Sequence, residues 1–493
     1  MQRHRMRSFV STAALLWIVA CLPPVPSLVL DGGASPGDGG SKPVDDDAGR
    51  LADSGTPRDS GAPRDSGAPR DGGTPRDSGT PRDSGTPRDG GTPDAGSRHD
   101  AGPPVCGLDG AFGSSGISDL GCGASGAFRS GFVADVGGTT YLFAGGVDAS
   151  NQGRAIVARF TLAGTRDGNF AGGSGCLAYE PPAEGFLPTL VDADVALDAA
   201  SERLYLAAFV VDGTPYIAVR RYTLAGALDT SFGSAGEVRF DFYMDCSADV
   251  ERRVGIAARV ERVYVTSTSC ENGPPSAFFG AIGANGAIAS SSDMACAGAS
   301  TGRDVEVLAA GAVVAGTKTA GSTRASLWQV DDNATFTPLP DVISNQQGSF
   351  AAAVATDSDG RLLVAGDFTD SVGGHDGFVA RSRPNGVHDA AFCPALGDGF
   401  CRLNLDANEP GSEEARAVIE DTSGRVVVGS CAATGCYLTR LASDGAPDTC
   451  LADNGTIEVP LTDVRGLAAA PGGSVFAVGV APNGKPGIAR LLP

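Results

Sequence analysis

Residues 227–236 have the sequence Ala-Leu-Asp-Thr-Ser-Phe-Gly-Ser-Ala-Gly, and the Asp-x-x-Phe motif at its centre recurs along the chain. Four copies keep both residues: Asp109 with Phe112, Asp167 with Phe170, Asp229 with Phe232, and Asp389 with Phe392. A fifth copy has Asp448 and Leu451. Successive copies are 58, 62, 160 and 59 residues apart, and the longest interval leaves room for two copies that have lost the motif. The chain is therefore built from degenerate repeats of roughly 55–60 residues.

Short apolar segments before each motif predict β-strands. One of them carries an Arg five residues before a turn glycine, as Arg159 precedes Gly164 and Arg221 precedes Gly226. A second apolar segment lies before it, and a stretch of small apolar residues lies before that. Short strands at regular spacing with Gly and Asp turns are typical of antiparallel sheet. Each repeat should contain an inner strand, two central strands and an outer strand after the motif.

Four-stranded antiparallel repeats arranged radially form a β-propeller. Six repeats occupy about 124–180, 188–243, 249–297, 301–345, 350–406 and 414–462. Residues 464–493 lack the motif and the outer strand, whereas residues 107–120 contain only that missing part. Joining the two completes a seventh blade and removes exposed sheet edges, which promote aggregation. We therefore predict an all-β fold over residues 106–493: a seven-bladed β-propeller of four-stranded antiparallel blades, closed by its N- and C-terminal segments.

The N-terminus has the organisation of a signal peptide over residues 1–20. Basic residues at Arg3, Arg5 and Arg7 precede an apolar run that is too short to span a bilayer. The segment Ile18-Val19-Ala20-Cys21 resembles a bacterial lipobox. We expect export with lipidation of Cys21; ordinary secretion after cleavage nearby is the alternative.

Residues 21–105, which we call the tether, lack apolar periodicity. From Thr56 the hexapeptide Thr-Pro-Arg-Asp-Ser-Gly occurs six times, with a few Ala and Gly replacements. Such a Pro/Arg/Asp/Ser/Gly segment cannot bury enough apolar surface to offset the entropy of ordering it. The sequence therefore predicts a disordered, low-complexity spacer before the propeller.

Twelve cysteines indicate an oxidising compartment and disulfides. Their spacings suggest four candidate pairs, of which the first two cross the shortest loops: Cys431–Cys436, Cys393–Cys401, Cys106–Cys122 and Cys270–Cys296. None of these spacings is the paired CxxC of a zinc site.

The repeat resembles the delta-60 repeat family of bacterial proteins, whose units carry Leu-Asp-x-x-Phe-Gly-x-x-Gly. Residues 107–116 and 227–236 match this pattern best, and the resemblance extends from Cys106 onward, with the third and fourth repeats matching poorly. It implies a β-propeller of a surface or secreted protein and supplies no catalytic residues. The tether after a lipobox-like segment is also similar to large lipoproteins of myxobacterial type.

The repeated motif residues are expected to be structural. The Asp side chains should accept backbone N–H bonds in their own turns, with calcium binding as the alternative. The Phe side chains should fill the core between blades. The repeated Arg should pair with a nearby carboxylate, although a ring of ligand-binding arginines is an alternative.

The sequence shows no catalytic constellation, metal site or cofactor motif. It has no GxSxG elbow and no P-loop, and beyond the signal peptide it has three histidines, His99, His375 and His388. The net charge of −21 lies almost entirely beyond residue 105 and disfavours nucleic acid as a partner.

These features favour a binding or scaffold module rather than an enzyme. We expect an exported monomer, either an outer-membrane or cell-surface lipoprotein or an extracellular protein. Its partner would be a protein or glycan, and it would touch the membrane only through a lipid on Cys21. The alternatives are a propeller enzyme acting on glycans, as a hydrolase or lyase, and a structural surface component.

Overall fold

The computed structural model describes residues 106–119, 122–150, 153–182, 188–241, 252–270, 274–294, 298–343, 346, 348–370, 373–394, 399–403, 405 and 412–493. The expected signal peptide, the tether and Cys21 lie outside the described residues.

The described chain forms seven antiparallel sheets. It begins with two short strands, β1 (Gly107–Leu108) and β2 (Ile117–Ser118). Blade 1 contains β3 (Gly126–Val136), β4 (Thr139–Asp148), β5 (Arg154–Thr161) and β6 (Cys176–Tyr179). Blade 2 contains β7 (Thr189–Asp198), β8 (Arg203–Val211), β9 (Tyr216–Thr223) and β10 (Glu237–Asp241). Blade 3 contains β11 (Gly255–Arg259), β12 (Arg262–Ser269), β13 (Ser276–Gly283) and β14 (Ile288–Asp293).

The remaining blades follow in the same order. Blade 4 contains β15 (Ala299–Val307), β16 (Ala312–Ala320), β17 (Ser322–Val330) and β18 (Phe336–Pro338). Blade 5 contains β19 (Ser349–Thr356), β20 (Leu362–Thr369), β21 (His375–Ser382) and β22 (Phe400–Leu403). Blade 6 contains β23 (Glu414–Glu420), β24 (Val426–Ala432), β25 (Gly435–Leu441) and β26 (Thr456–Val459). Blade 7 begins with β27 (Asp463–Ala469), β28 (Val475–Val480) and β29 (Pro486–Leu492), and a short 3-10 turn in blade 1 spans Phe170–Gly173.

Blade 7 is assembled from both ends of the described chain. Strand β1 pairs with β29, with Leu108 opposite Leu491, and β2 also pairs with β29. The Phe112 ring, only 1% exposed, packs 5.6 Å from the ring of Phe476 in β28. The predicted fold class, a seven-bladed propeller of four-stranded antiparallel blades, is thus confirmed.

The apolar core lies between the blades, because each sheet has two faces and covers one neighbour with each. Every pair of adjacent blades shares one cluster of buried side chains. The cluster between blades 7 and 1 holds Phe112, Phe128, Phe160, Phe476 and Ile488. No blade therefore has a core of its own, and each depends on its neighbours for burial.

The structure contains the two disulfides with the shortest loops, Cys393–Cys401 and Cys431–Cys436. The suggested Cys106–Cys122 pair is wrong: Cys106 bonds Cys450, and Cys122 bonds Cys176, with Cα–Cα distances of 5.8 and 5.7 Å. The reason is topological, since β1 leaves its sequence neighbours to join blade 7 beside blade 6.

Cys270 is also disulfide-bonded, but its suggested partner Cys296 lies outside the described residues. These bonds indicate an oxidising environment of the kind found outside the cytoplasm. Within the described ranges, no helix has the length and apolarity that a membrane span requires.

We expect Phe112→Ala to lower the free energy of unfolding by about 3–5 kcal/mol, because it removes a buried ring from the cluster that closes the propeller. Ile488 packs in the same cluster. The loss of unfolding free energy in the Phe112→Ala, Ile488→Ala double variant should therefore differ from the sum of the two single losses. Urea unfolding measures all three. The exposed Val260→Ala serves as control, and strictly additive losses would show that the two side chains do not pack together.

Candidate functional site

The motif carboxylates hold their own turns. One oxygen of each Asp accepts the backbone N–H two residues on, at 2.9–3.2 Å, in all five copies: Asp109, Asp167, Asp229, Asp389 and Asp448. In four copies the other oxygen accepts a bond from the Nε of the Arg eight residues earlier, at 2.8–3.0 Å. These carboxylates are therefore occupied by turn and Arg bonds.

The same Arg reaches the next blade. Arg159 donates through Nη1 to Leu224 O at 2.8 Å, and Arg440 donates in the same way to Leu492 O at 2.8 Å. Its guanidinium carbon also lies over the motif Phe ring, at 5.2 Å for Arg159 and Phe170. We call this set, the Arg, Asp and Phe of one blade with the turn carbonyl of the next, the interblade clamp.

The packing of the motif Phe against the next turn explains why that turn carries a glycine. Gly164 has φ +85°, and a Cβ on it would lie 2.7 Å from the Phe112 ring of the preceding blade.

The clamp also favours the ionised form of the motif carboxylate. Although burial opposes ionisation, the Asn169 backbone N–H and the Arg159 guanidinium hold the pKa of Asp167 below its usual value.

A turn aspartate, Asp357, and His388 are structural as well. Asp357 caps the hairpin between β19 and β20 by accepting the Asp359 and Arg361 N–H bonds at 3.1 and 2.8 Å. His388 is half-buried, with Nε2 3.1 Å from the Asp341 carbonyl of the preceding blade.

The inner strands surround a central channel, and most of them are bulged near their beginning. In six blades the register shifts by one residue, and the extra residues are Arg129, Val191, Arg303, Ala352, Arg416 and Arg465. A bulge turns the extra side chain away from the regular alternation. Four of the six are arginines, so the bulges bring positive charge from different blades to one end of the channel.

Five arginines line one cavity of about 280 Å³ at this end of the channel, together with Val191 and a single carboxylate, Asp192. We call them the arginine cluster: Arg129, Arg252, Arg253, Arg416 and Arg465. Carboxylates hold three of them in place. Arg465 pairs with Asp463 at 2.6 Å, Arg416 pairs with Glu414 at 2.5 Å and with Asp463, and Arg129 lies 3.7 Å from Asp192.

Carboxylates also lie in a second cavity of about 210 Å³ in the channel. Asp194 accepts the Ile256 N–H at 3.1 Å, and Asp304 accepts the Val354 N–H at 2.8 Å, each from the next inner strand. An inner strand is a sheet edge, so these N–H groups have no partner in their own blade. Burial raises the pKa of Asp194 to about 7 and that of Glu306 to about 7.

A third cavity, of about 400 Å³, contains a histidine–carboxylate pair. The Nδ1 of His375 lies 3.1 Å from Oδ2 of Asp367 on the neighbouring strand. Burial raises the pKa of Asp367 to about 6, and the His375 bond opposes this rise. Arg253 and Arg416 line this cavity as well as that of the arginine cluster. An oriented imidazole beside guanidinium groups can transfer a proton to or from an anion that these groups bind.

No metal site is found among the described residues, since no three His, Cys, Asp or Glu side chains come together in the way that ligation requires. The arginines and His375 at the channel offer anion binding by guanidinium groups and proton transfer by an imidazole.

Sequence reasoning missed the arginine cluster and the Asp367–His375 pair. A signal for part of the cluster does exist, because an Arg precedes a small residue at matching places in three repeats: Arg129, Arg416 and Arg465. Aligning the inner strands rather than the motif turns would have shown it.

We expect the melting temperature to rise as the pH is lowered from 8 to 5. The folded-state pKa of Asp194 lies near 7, above the unfolded value of about 3.9. Protonated Asp194 therefore stabilises the fold fully below about pH 4, and this stabilisation is lost as the pH rises through about 7. Asp194→Asn keeps an acceptor for the Ile256 N–H without the charge. It should raise the melting temperature at pH 8 and reduce its change between pH 8 and 5. The exposed Asp444→Asn is the control, and identical pH profiles for both variants would contradict this role of Asp194.

One family model agrees with the fold. The family model described as "Domain of unknown function (DUF5122) beta-propeller" matches residues 358–392, and no curated protein matches the chain. Among solved structures, Drosophila Plexin A in complex with Semaphorin 1b is 10% identical, with 78% of this chain and 88% of that chain covered and a TM-score of 0.43.

Two further solved structures are similar to this chain. The Pseudomonas aeruginosa periplasmic gluconolactonase PpgL is 13% identical, with coverage of 71% and 95% and a TM-score of 0.39. The propeller domain of the Pyrococcus furiosus Trilobed protease is 9% identical, with coverage of 74% and 94% and a TM-score of 0.39. These likenesses say nothing about the function of this chain. The family match and the seven sheets together support a propeller family.

Proposed function

We propose that the propeller is an exported binding module that takes a carboxylate-bearing ligand at the arginine cluster. The observation that carries this proposal is the composition of one cavity, which is lined by five arginines and one aspartate, while Asp463 and Glu414 pair with two of the arginines. Guanidinium groups pair with carboxylates through two parallel N–H bonds, which gives both affinity and orientation.

The carboxylates behind the cluster support this role. Asp463 bonds both Arg416 and Arg465, whose side chains are still 26% and 37% exposed. Each arginine is thus held in one place while part of its fork remains accessible. Holding the donors in place before binding lowers the entropy that the ligand must offset.

The net charge of the whole chain favours a short anionic ligand over a long polyanion. A net charge of −21 repels long polyanions at a distance, whereas the cluster attracts a single carboxylate nearby. We therefore propose a short acidic oligosaccharide carrying uronic acids. Such a ligand suits a protein of the cell envelope, and export with a lipid on Cys21 is part of the same proposal.

We expect the chain to bind trimannuronate or trigalacturonate, and Arg465→Gln to weaken the binding about 10- to 100-fold. The reason is the loss of a charge-assisted hydrogen bond, worth about 1.5–3 kcal/mol. Calorimetric titration at low and at high salt measures the effect, and salt should weaken binding by the wild type. Arg402→Gln is the matched control, since Arg402 is half-exposed on β22 and pairs with Asp376.

Three results would contradict the proposal. They are an absence of binding to both oligosaccharides, equal affinities for the Arg465 and Arg402 variants, and equally tight binding of a neutral trisaccharide. The last result would mean that the carboxylate is not what the protein recognises.

We expect a fatty-acid analogue fed to cells to label the wild-type chain and not Cys21→Ser. Only the sulfur of Cys21 in the lipobox-like segment would receive the lipid. Gel fluorescence after labelling measures this, and equal labelling of both chains would rule out the lipid anchor.

A further inference from the structure

We propose that His375, oriented by Asp367, removes the proton next to the carboxylate of a uronate held by the arginine cluster, so that the propeller cleaves short uronate oligosaccharides by β-elimination. This inference rests on the proposed function, because the arginine cluster must hold the substrate. It goes beyond binding by assigning a reaction and a base.

The geometry of the pair is that of an oriented base. Asp367 lies on β20 and His375 begins β21, and the hairpin between them brings His375 Nδ1 to 3.1 Å from Asp367 Oδ2. The Asp367 side chain is 11% exposed, whereas that of His375 is 38% exposed. A buried carboxylate that accepts the Nδ1–H leaves the second ring nitrogen, Nε2, as the proton acceptor.

Burial and the neighbouring charges together set the ionisation of Asp367. Burial and the Glu414 carboxylate raise the pKa of Asp367 to about 6, against the opposing effects of the His375 bond and the Arg303 charge. The carboxylate is therefore ionised above about pH 6. Glu414 itself is bonded to Arg416 at 2.5 Å, so its charge is compensated.

Besides a base, the reaction requires positive groups that hold the substrate carboxylate, and the arginines supply them. Arg253 and Arg416 line both the cavity of the arginine cluster and the one that contains His375. A carboxylate bound there would have its neighbouring carbon close to the imidazole. As the proton leaves, negative charge moves onto the carboxylate oxygens, and fixed guanidinium groups stabilise charge that develops in this way.

The bonds balance without a further reactant. Nε2 of His375 takes the C5 proton, and the electron pair of that C–H bond forms the C4–C5 double bond. The C4–O bond breaks, and the leaving oxygen keeps its electron pair and takes the proton from the imidazolium. The products are an unsaturated uronate and a shortened oligosaccharide, and His375 returns to its neutral form.

Inversion at C5 fits the cavity less well than elimination. Inversion at C5 would need a second proton donor on the opposite side of the sugar, and the remaining carboxylates that line this cavity, Asp367 and Glu414, are bonded to His375 and Arg416. If one imidazole both takes the proton and returns it, the C5 hydrogen and the C4 oxygen must lie on the same face. Mannuronate has this arrangement and galacturonate does not.

The test follows the ultraviolet absorbance of the new double bond in the full chain with trimannuronate or trigalacturonate. We expect product from trimannuronate and much less from trigalacturonate. His375→Gln should lower the rate at least about 100-fold, as for the loss of a general base, with affinity changed less than about threefold. Asp367→Asn should lower kcat more than KM and shift the pH profile, because it acts by positioning the imidazole. His388→Gln, the other histidine among the described residues, should keep the wild-type rate.

Each outcome separates binding from catalysis. Binding of trimannuronate without any double bond would overturn the catalytic inference and leave the proposed function standing. Product formation by His375→Gln at the wild-type rate, or cleavage of trigalacturonate alone, would also overturn it. No binding of either oligosaccharide by His375→Gln and by the wild type would remove both proposals, provided that thermal melts show both chains to be folded.

Discussion

The interblade clamp is the interaction on which the rest of the propeller depends. A blade has no core of its own, so its position is set by what it shares with its neighbours. In the clamp, one guanidinium binds the Asp of its own turn, the carbonyl of the next turn and a Phe ring, as Arg159 does with Asp167, Leu224 and Phe170. Where the motif has decayed between blades 3 and 4, Asp332 takes a related place and bonds Tyr264 at 2.5 Å and Arg259 at 3.2 Å. Fixed spacing between blades is what brings the bulge arginines of separate inner strands together at the channel.

Ring closure extends the same contacts across the chain ends. Phe112 occupies between blades 7 and 1 the place that the other motif rings occupy between their blades, and Arg490 lies 3.5 Å from Asp109. The disulfide between Cys106 and Cys450 joins residues 344 apart and fastens the closing strand to blade 6. A cross-link over so long a loop restricts the unfolded chain strongly, which stabilises the closed ring.

Much of this fold could be predicted because its signals are local. The motif Asp and Phe recur at repeat spacing, and each Asp bonds a residue only two positions away. The arginine cluster could not be found in this way, since its members come from different blades. Three of them, Arg129, Arg416 and Arg465, also stand at bulges that break the alternation of a strand. The Cys106–Cys450 bond was missed for a similar reason, because short spacing favoured Cys122. Asp367 and His375 are only eight residues apart, but their pairing depends on the register of one hairpin.

The channel combines two uses of charge. Buried carboxylates such as Asp194 satisfy the edge N–H groups of neighbouring strands, whereas the arginines near the beginning of the inner strands face a cavity. The most direct test of ligand binding at this cavity is hydrogen exchange of the full-length His375→Gln chain with and without trimannuronate, followed by mass spectrometry. We expect exchange to slow in peptides that cover residues 128–131, 252–256, 414–417 and 464–467. Slowing confined to the motif turns or the outer strands would contradict a ligand site at the arginine cluster.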